Sequence, residues 1–355
     1  MKVLLLDLGT IMRGGQRQVF YLARFLARTP GFEPMVAVPG NAPLIALLEE
    51  AEIPFTRLPS SRDYNPFNIW KLNKLVKTFQ PDIVHTNDAK GASLAALIKK
   101  HKGGFKLVHS RRVSYRLKPG WSRNKYLLGD ALVAVSEEIR EVLVSCEIPE
   151  DKTSTIHSGI DARMYTEEDR KHPVLTLGAV GALSTQKGFE VLIEALAHLR
   201  EDPTMPDWQC MIAGDGPLQQ ELKLQAENLG LAGSILFLGY RDSREVLPEI
   251  DILIIPSVDG EGSNAVIKEG WVTKTPVITS DLPSNLELVT HEHDGLVFRN
   301  RDASELATAI ARIATDAKLA TELVRTGTES VSLYTDQTMA RQYTTVYKKL
   351  LEDPQ

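Results

Sequence analysis

Short apolar runs alternate with stretches of three-to-four spacing along nearly the whole chain. Lys2–Asp7 is an apolar run bounded by Gly9, Gly14 and Gly15. Residues 18–28 then place Val19, Leu22, Ala23 and Leu26 on one helical face. The pattern predicts a second strand over Met35–Val38, a helix ending near Glu52 and a third strand over Pro54–Leu58. Over 66–79 it predicts a helix with Ile69, Leu72, Leu75, Val76 and Phe79 on one side. Strands follow at Asp82–His85, Lys106–Ser110 and Ala131–Val135, with a helix over Ala89–Lys100. Such β–α alternation predicts parallel sheets with helices on both faces.

Residues 161–173 are polar and aperiodic, and are assigned to a linker. The alternation then restarts, with strands at Val174–Val180, Gln209–Ala213, Ile235–Leu238, Ile252–Ile255 and Pro276–Ile278. Helices are predicted within 302–326 and over 336–351. The expected organisation is a Rossmann-like domain over 1–160, a second over 174–335 and a C-terminal segment over 336–355. Two such domains facing each other leave a cleft outside the carboxyl ends of their strands, where ligands of doubly wound sheets bind.

Composition removes several alternatives. Of 355 residues, 43% are hydrophobic and 25% charged, values of an ordinary globular protein rather than a disordered, collagenous or coiled-coil one. No apolar run reaches the roughly 18–20 residues that span a bilayer. The start, MKVLLLDLGT, reads as a buried strand rather than a signal peptide, because its apolar run meets Asp7 and has no small-residue cleavage site. Cys146 and Cys210 are the only cysteines and have no CxxC spacing, so free thiols in a reducing cytosol are expected. The net charge of −5 hides an asymmetry. Residues 1–160 hold 23 Lys and Arg against 15 Asp and Glu, a net of +8; residues 161–355 hold 18 against 31, a net of −13. From Ala89 to Gly129 there are eleven Lys and Arg and no acidic residue. A basic half of this kind suggests an anionic partner.

Four constellations could carry chemistry, and most follow strands. Arg13-Gly14-Gly15-Gln16 lies between the first strand and first helix, where glycines admit a ligand and helix N–H groups attract an anion. It fits neither GxGxxG nor the Walker pattern, and a plain tight turn would look the same. Gly181 opens a second turn, in which Lys187 could neutralise a phosphate or simply stand in solvent. Gly214-Asp215-Gly216-Pro217 is a third, with Pro217 suited to a first helical turn. The most specific is Ser257 to Glu269, after an apolar strand. Glu261 lies in a glycine-rich loop, Ser263 or Asn264 is the expected N-cap, and Glu269 lies in the helix. If both glutamates were helical, their eight-residue spacing would offset them by roughly 80°, toward one cleft. A carboxylate there can accept bonds from sugar hydroxyls, and the amides of Ser263, Asn264 and Ala265 can hold a phosphate.

Other signals are weaker. His291-Glu292-His293-Asp294 has no further ligand at metal spacing and is expected to be a surface loop. No two aspartates are separated by one residue, so a DxD metal–nucleotide site is not expected. Ser136 and Ser257 lack the G-x-S-x-G context of a hydrolase nucleophile.

Together these elements resemble the family-4 retaining glycosyltransferases of the GT-B fold. The resemblance runs from Gly14-Gly15 to Asp294-Gly295-Leu296-Val297. Its strongest part is Glu261-x7-Glu269 before Gly270 and Thr275-Pro276-Val277. Val135-Ser136, Ser158-Gly159-Ile160-Asp161, Lys187-Gly188 and Gly214-Asp215-Gly216-Pro217 agree in order. Gly14 to Gln18 and His109 to Val113 look like members that build bacterial lipopolysaccharide and other surface polysaccharides.

The resemblance implies a nucleotide-diphospho-sugar donor held mainly by the second domain. Glu261 would contact the donor sugar, Glu269 the ribose and Lys187 the diphosphate. Gly181, Gly214 and the loop Gly262-Ser263-Asn264-Ala265 would line the donor site, with Tyr240 and Arg241 near the base. Gly14 and Gly15 would let the first domain's loop close on the phosphates, and the last helix would cross back to that domain. Members usually carry an arginine where this chain has Ala182. Phosphate neutralisation would therefore rest on Lys187 or on first-domain groups. The acceptor or phosphate candidates there are Arg13, His85, His109, Arg111 and Arg112.

The implied activity is retaining, metal-independent transfer of a hexosyl unit without cofactor, by positioning and by stabilising the leaving phosphate. The acceptor is expected to be an anionic glycan or a lipid-linked one. Residues 89–129, with Phe105, Tyr115, Trp121 and Tyr126 among their cations, would rest on anionic lipid at the cytoplasmic face of the inner membrane; the same stretch could also be a solvated face. No motif supports nucleic acid. Two alternatives remain at this point: a 2-epimerase-like GT-B enzyme, and a catalytically silent nucleotide-sugar-binding protein.

Overall fold

A computed structural model describes residues 1–165 and 173–352. The chain forms two compact units, Met1–Gly159 with Asp336–Gln355, and Ile160–Thr335.

The first unit holds seven strands: β1 (Lys2–Leu6), β2 (Glu33–Pro39), β3 (Phe55–Leu58), β4 (Ile83–Thr86), β5 (Lys106–Arg111), β6 (Ala131–Ala134) and β7 (Thr153–Thr155). They pair in the order β3-β2-β1-β4-β5-β6-β7, and every pairing is parallel. The order reverses between β1 and β4. Leu4, Leu6, Ala37, Val84 and Leu107 bury one face against Leu72, Leu94 and Ala95 of the covering helices. The edge strand β7 reads Thr-Ser-Thr and carries no apolar signal, so the hydrophobic pattern does not predict it. Trp121 begins a helix over Trp121–Leu127.

The second unit holds β8 (Leu175–Val180), β9 (Trp208–Ala213), β10 (Ile235–Gly239), β11 (Ile252–Ile255), β12 (Val277–Ser280) and β13 (Leu296–Phe298). Its order is β10-β9-β8-β11-β12-β13, again all parallel, with the reversal between β8 and β11. The short β13 is also absent from the sequence expectation. Ile160 belongs to this unit, bridging Thr335, and Asp161 caps a 3-10 turn at Ala162–Met164. The remainder of the expected linker, 166–172, lies outside the described residues.

The helix Asp336–Glu352 returns to the first unit, as the resemblance implies. Met339, Ala340, Tyr343 and Tyr347 form its buried face. Arg24 pairs with Asp336 at 2.7 Å. Tyr347 Oη lies 2.6 Å from His85 Nδ1, Ser110 Oγ lies 2.8 Å from His85 Nε2, and Tyr343 Oη lies 2.8 Å from Ser110 Oγ. A buried polar chain therefore ties the returning helix to β4 and β5. Both cysteines are free and buried, and burial pushes the Cys210 thiol up to about 12.

In the second unit, backbone packing sets the loop positions. Gly188 has φ +63°, and a Cβ there would lie 2.1 Å from the Pro256 carbonyl oxygen. Any side chain would drive the loop after β8 away from the loop after β11. Gly188→Ala is expected to cost at least about 2 kcal/mol, combining left-handed strain with the clash. Urea unfolding of the purified variant measures this; an unchanged midpoint would contradict the packing described.

Candidate functional site

Two clusters form, one at each strand-order reversal, and each is built within its own unit. In the second unit, the loop after β8 contains a single 3-10 turn, Thr185–Lys187, closed by Gly188. The neighbouring loop after β11 is tied to it: the amides of Val258 and Asp259 both donate to the Gln186 carbonyl, at 2.9 and 3.3 Å. Ser280 Oγ donates to the Ser257 carbonyl at 2.5 Å, and Asn300 Nδ2 to the Val258 carbonyl at 3.0 Å. These bonds hold Lys187 beside Glu261. Lys187 Nζ donates to Glu261 Oε1 at 2.6 Å, and Ser257 Oγ donates to the same oxygen at 2.5 Å. Ser257 is fully enclosed, and Glu261 is 8% exposed.

The helix after this loop begins at Ala265, with Asn264 as N-cap accepting from the Val266 amide at 3.2 Å. Glu269 lies on that helix and is buried. Glu261 does not, so the helical-offset argument fails: the carboxylates are eight residues apart across a loop and a helix, not along one helix. Gly262 precedes Ser263, whose hydroxyl accepts from Lys268 Nζ at 2.6 Å. Lys268 is buried, with its ammonium 5.1 Å from the Tyr334 ring centroid.

Gly181, Gly214 and Gly239 sit at the adjacent ends of β8, β9 and β10. The Gly181 amide donates to the Ala213 carbonyl at 3.0 Å, and the Gly214 amide to the Gly239 carbonyl at 2.8 Å. A Cβ on Gly214 would lie 1.7 Å from the Gly181 oxygen, so these turns touch backbone to backbone. Tyr240 beyond them is 80% exposed, and Arg241 is 3.6 Å from both Glu245 and Glu249. All these groups lie at the carboxyl ends of the strands, and the Lys187–Glu261 pair bridges the two loops flanking the reversal.

The first unit's cluster centres on Asp7, at the end of β1 and inaccessible to solvent. Gln16 Nε2 donates to both its oxygens at 3.1 Å, and Asn87 Nδ2 to Oδ2 at 2.9 Å. Asn87 also donates to the Gly15 carbonyl at 3.1 Å and accepts from Arg112 Nε at 3.0 Å. Arg112 Nη1 donates to Ser158 Oγ at 3.1 Å. Arg13 and Gly14 are exposed at the start of the helix Gly14–Ala27. The sequence pattern named Gly15 and Arg112 but missed Asp7 and Asn87, whose position after β1 and β4 was the available signal. It also missed the partnership of Ser257 with Glu261, because no motif marks a serine four residues before a glutamate.

Three first-domain candidates lie beneath the surface. His85 has both ring nitrogens bonded, and burial, with Arg112 and His109 nearby, lowers its pKa to about 3. His109 Nδ1 is 2.6 Å from Thr86 Oγ1, and burial likewise lowers its pKa to about 3. Arg111 donates to the Tyr115 carbonyl and the Tyr126 hydroxyl, with its guanidinium 4.5 Å from the Tyr115 ring centroid. In this conformation none of the three is offered to an acceptor.

The basic stretch 89–129 does not form one exposed face either. Arg111 and Lys125 are buried, Lys99 pairs with Asp130 and Arg123 with Glu147, and Phe105 and Tyr126 are core residues. Among the described residues no helix is long and apolar enough to cross a membrane.

With this geometry in view, residues 174–316 match the family described as Glycosyl transferases group 1, and residues 12–163 match Glycosyltransferase Family 4. The chain belongs to this group of two-domain glycosyltransferases of the GT-B fold. It is 29% identical over 270 residues, 69% of each chain, to the Escherichia coli UDP-Gal:alpha-D-GlcNAc-diphosphoundecaprenol alpha-1,3-galactosyltransferase. It is 26% identical over 262 residues, 74% of each chain, to the lipopolysaccharide core biosynthesis glycosyltransferase LpsE of Rhizobium meliloti. Its fold matches that of Anabaena HepE in complex with UDP, with a TM-score of 0.83, 20% identity and coverage of 98% of this chain and 100% of that one.

Proposed function

We propose that this glycosyltransferase moves a hexosyl unit from a UDP-sugar to a lipid-linked saccharide during bacterial surface-polysaccharide or lipopolysaccharide synthesis, with retention of anomeric configuration. The observation that carries the donor site is the Lys187–Glu261–Ser257 cluster at the strand-order reversal of the second unit. A diphosphate entering there draws the Lys187 ammonium, and Glu261, still held by Ser257, accepts a sugar hydroxyl. The helix start at Ala265 adds its N–H dipoles, and Glu269 takes the ribose hydroxyls. The glycine turns at 181 and 214 let the backbone lie close to the nucleotide, with Tyr240 and Arg241 near the base.

Departure of UDP puts negative charge on the leaving phosphate and positive charge on the anomeric carbon. Lys187 stabilises the former, so no metal or other cofactor is needed. The departing phosphate oxygen takes the acceptor proton on the same face as the new bond, which retains configuration. Arg13 and Arg112 are assigned to an anionic acceptor, Arg112 by exchanging its bonds to Asn87 and Ser158. Nucleotide sugars are cytoplasmic, and the reaction is assigned there. The lipid-linked acceptor is supported by the E. coli relative's diphosphoundecaprenol substrate, and UDP by that relative and by HepE.

The test is incubation of the full chain with UDP-hexoses and a diphosphoundecaprenol-linked sugar, with EDTA present. UDP release and a product that keeps the donor's configuration are expected; an inverted product refutes the mechanism. Donor epimerisation without acceptor, or binding without UDP release, would instead establish one of the alternatives.

A further inference from the structure

The helix Pro66–Phe79 covers the β3 edge of the first unit's sheet. Its inner face is apolar, with Leu72 in the core and Ile69, Leu75, Val76 and Phe79 packed beside it. Its outer face is unusual for a solvated helix. Phe67 and Trp70 are 69% and 63% exposed, and Tyr64 just before the helix is 57% exposed. Lys71, Lys74 and Lys77 share that face at three-residue spacing, and Lys74 Nζ lies 5.6 Å from the Trp70 ring centroid. Among the described residues none of the three lysines makes an ion pair. No acidic residue occurs between Tyr64 and Pro81. Between this face and β3 lies a groove of about 630 Å³, lined by Thr56, Pro59, Phe67, Trp70, Lys74 and Leu75.

We infer that this face is the membrane-docking surface of the protein, and that its partner is an anionic phospholipid bilayer. Aromatic rings with an apolar body and a polar edge settle at the headgroup level, and lysines beside them extend to lipid phosphates. The groove is lined by Phe67, Trp70, Pro59 and Leu75, with Lys71 and Lys74 among them, an apolar surface with cations beside it that suits acyl chains and their phosphates. A second copy fits poorly, because a two-fold contact would set three unpaired lysines against the same three. The face replaces residues 89–129 as the membrane contact. It depends on the proposed lipid-linked acceptor only for its purpose, not for its chemistry.

Flotation of the full chain with phosphatidylglycerol–phosphatidylcholine vesicles, against phosphatidylcholine alone, tests the proposal without any sugar transfer. Binding is expected only with phosphatidylglycerol, and brominated acyl chains should quench Trp70. Phe67→Ser with Trp70→Ser should weaken binding at least about tenfold. Lys71→Gln, Lys74→Gln and Lys77→Gln together should weaken it roughly 100-fold, about fivefold per lysine. Both variants should keep the wild-type circular dichroism and UDP-induced thermal shift. Wild-type binding by both variants overturns the proposal. So does loss of binding in Lys90→Glu with Arg116→Glu and Lys118→Glu instead, a lipid-free dimer broken by the aromatic variant, or tighter binding of single-stranded oligonucleotide than of vesicles. Flotation without transferase activity would leave this surface standing and defeat the proposed function alone.

Discussion

Lys187→Ala is expected to lower kcat by about 10²–10³-fold, the usual loss when one stabilising group is removed from a charge that develops in the transition state. The argument rests on placement. The ammonium sits at the strand-order reversal, fixed by a loop whose carbonyl at Gln186 anchors the partner loop, and its bond to Glu261 is 2.6 Å. In the free protein the carboxylate holds the cation; in the reaction the leaving phosphate competes for it. Removing the cation should therefore affect kcat more than KM for the donor, because phosphate charge is greatest in the transition state. Steady-state kinetics of UDP release measure both. A variant with unchanged kcat, or with only KM raised, would remove Lys187 from the chemistry. Ser257→Ala, which leaves Lys187 in place, should produce a smaller loss, since it only frees the Glu261 carboxylate from one of its two donors.

Acid should destabilise the first unit steeply. His85 and His109 lie neutral in the core with pKa values near 3, against 6.5 in the unfolded chain. Below pH 6.5 the unfolded state binds protons that the folded state refuses, so stability is full above that pH and falls toward pH 3. At pH 5 each histidine costs about 2 kcal/mol. Asp88 opposes this. Burial, with Asp7 beside it, raises its pKa to about 6, so the folded state takes up a proton first and gains about 1 kcal/mol by pH 5. The net loss of about 3 kcal/mol is a large share of a typical folding stability. Hydrogen exchange across residues 83–111 at pH 7 and pH 5 reports it locally. His85→Asn or His109→Asn should flatten the profile by about 2 kcal/mol each, and equal protection of the wild type at both pH values would contradict the assignment. The returning helix shares this fate, because Tyr343 and Tyr347 close on the same His85–Ser110 network.

The two sheets, their parallel sense and the position of most strands follow from periodicity in the sequence. Val19, Leu22 and Leu26, or Ile252 to Ile255, carry a local signal, and the glycine turns after the strands mark where a ligand can approach. Glu261-x7-Glu269, with Val135-Ser136, Ser158 to Asp161, Lys187-Gly188 and Gly214 to Pro217 in order along the chain, carried the resemblance to the family. Tertiary structure decided the rest. The three polar residues of β7 become a strand only because β6 offers an open edge. Glu261 gains its lysine from the loop after a different strand, a pairing across 74 residues that no periodicity encodes. His85 and His109 are polar side chains within β4 and β5, and only the covering helices determine that they are sealed rather than offered to a substrate. Local sequence carries the propensity to form elements; the contacts that bury or expose a polar group come from distant segments, and those contacts set its charge and its chemistry.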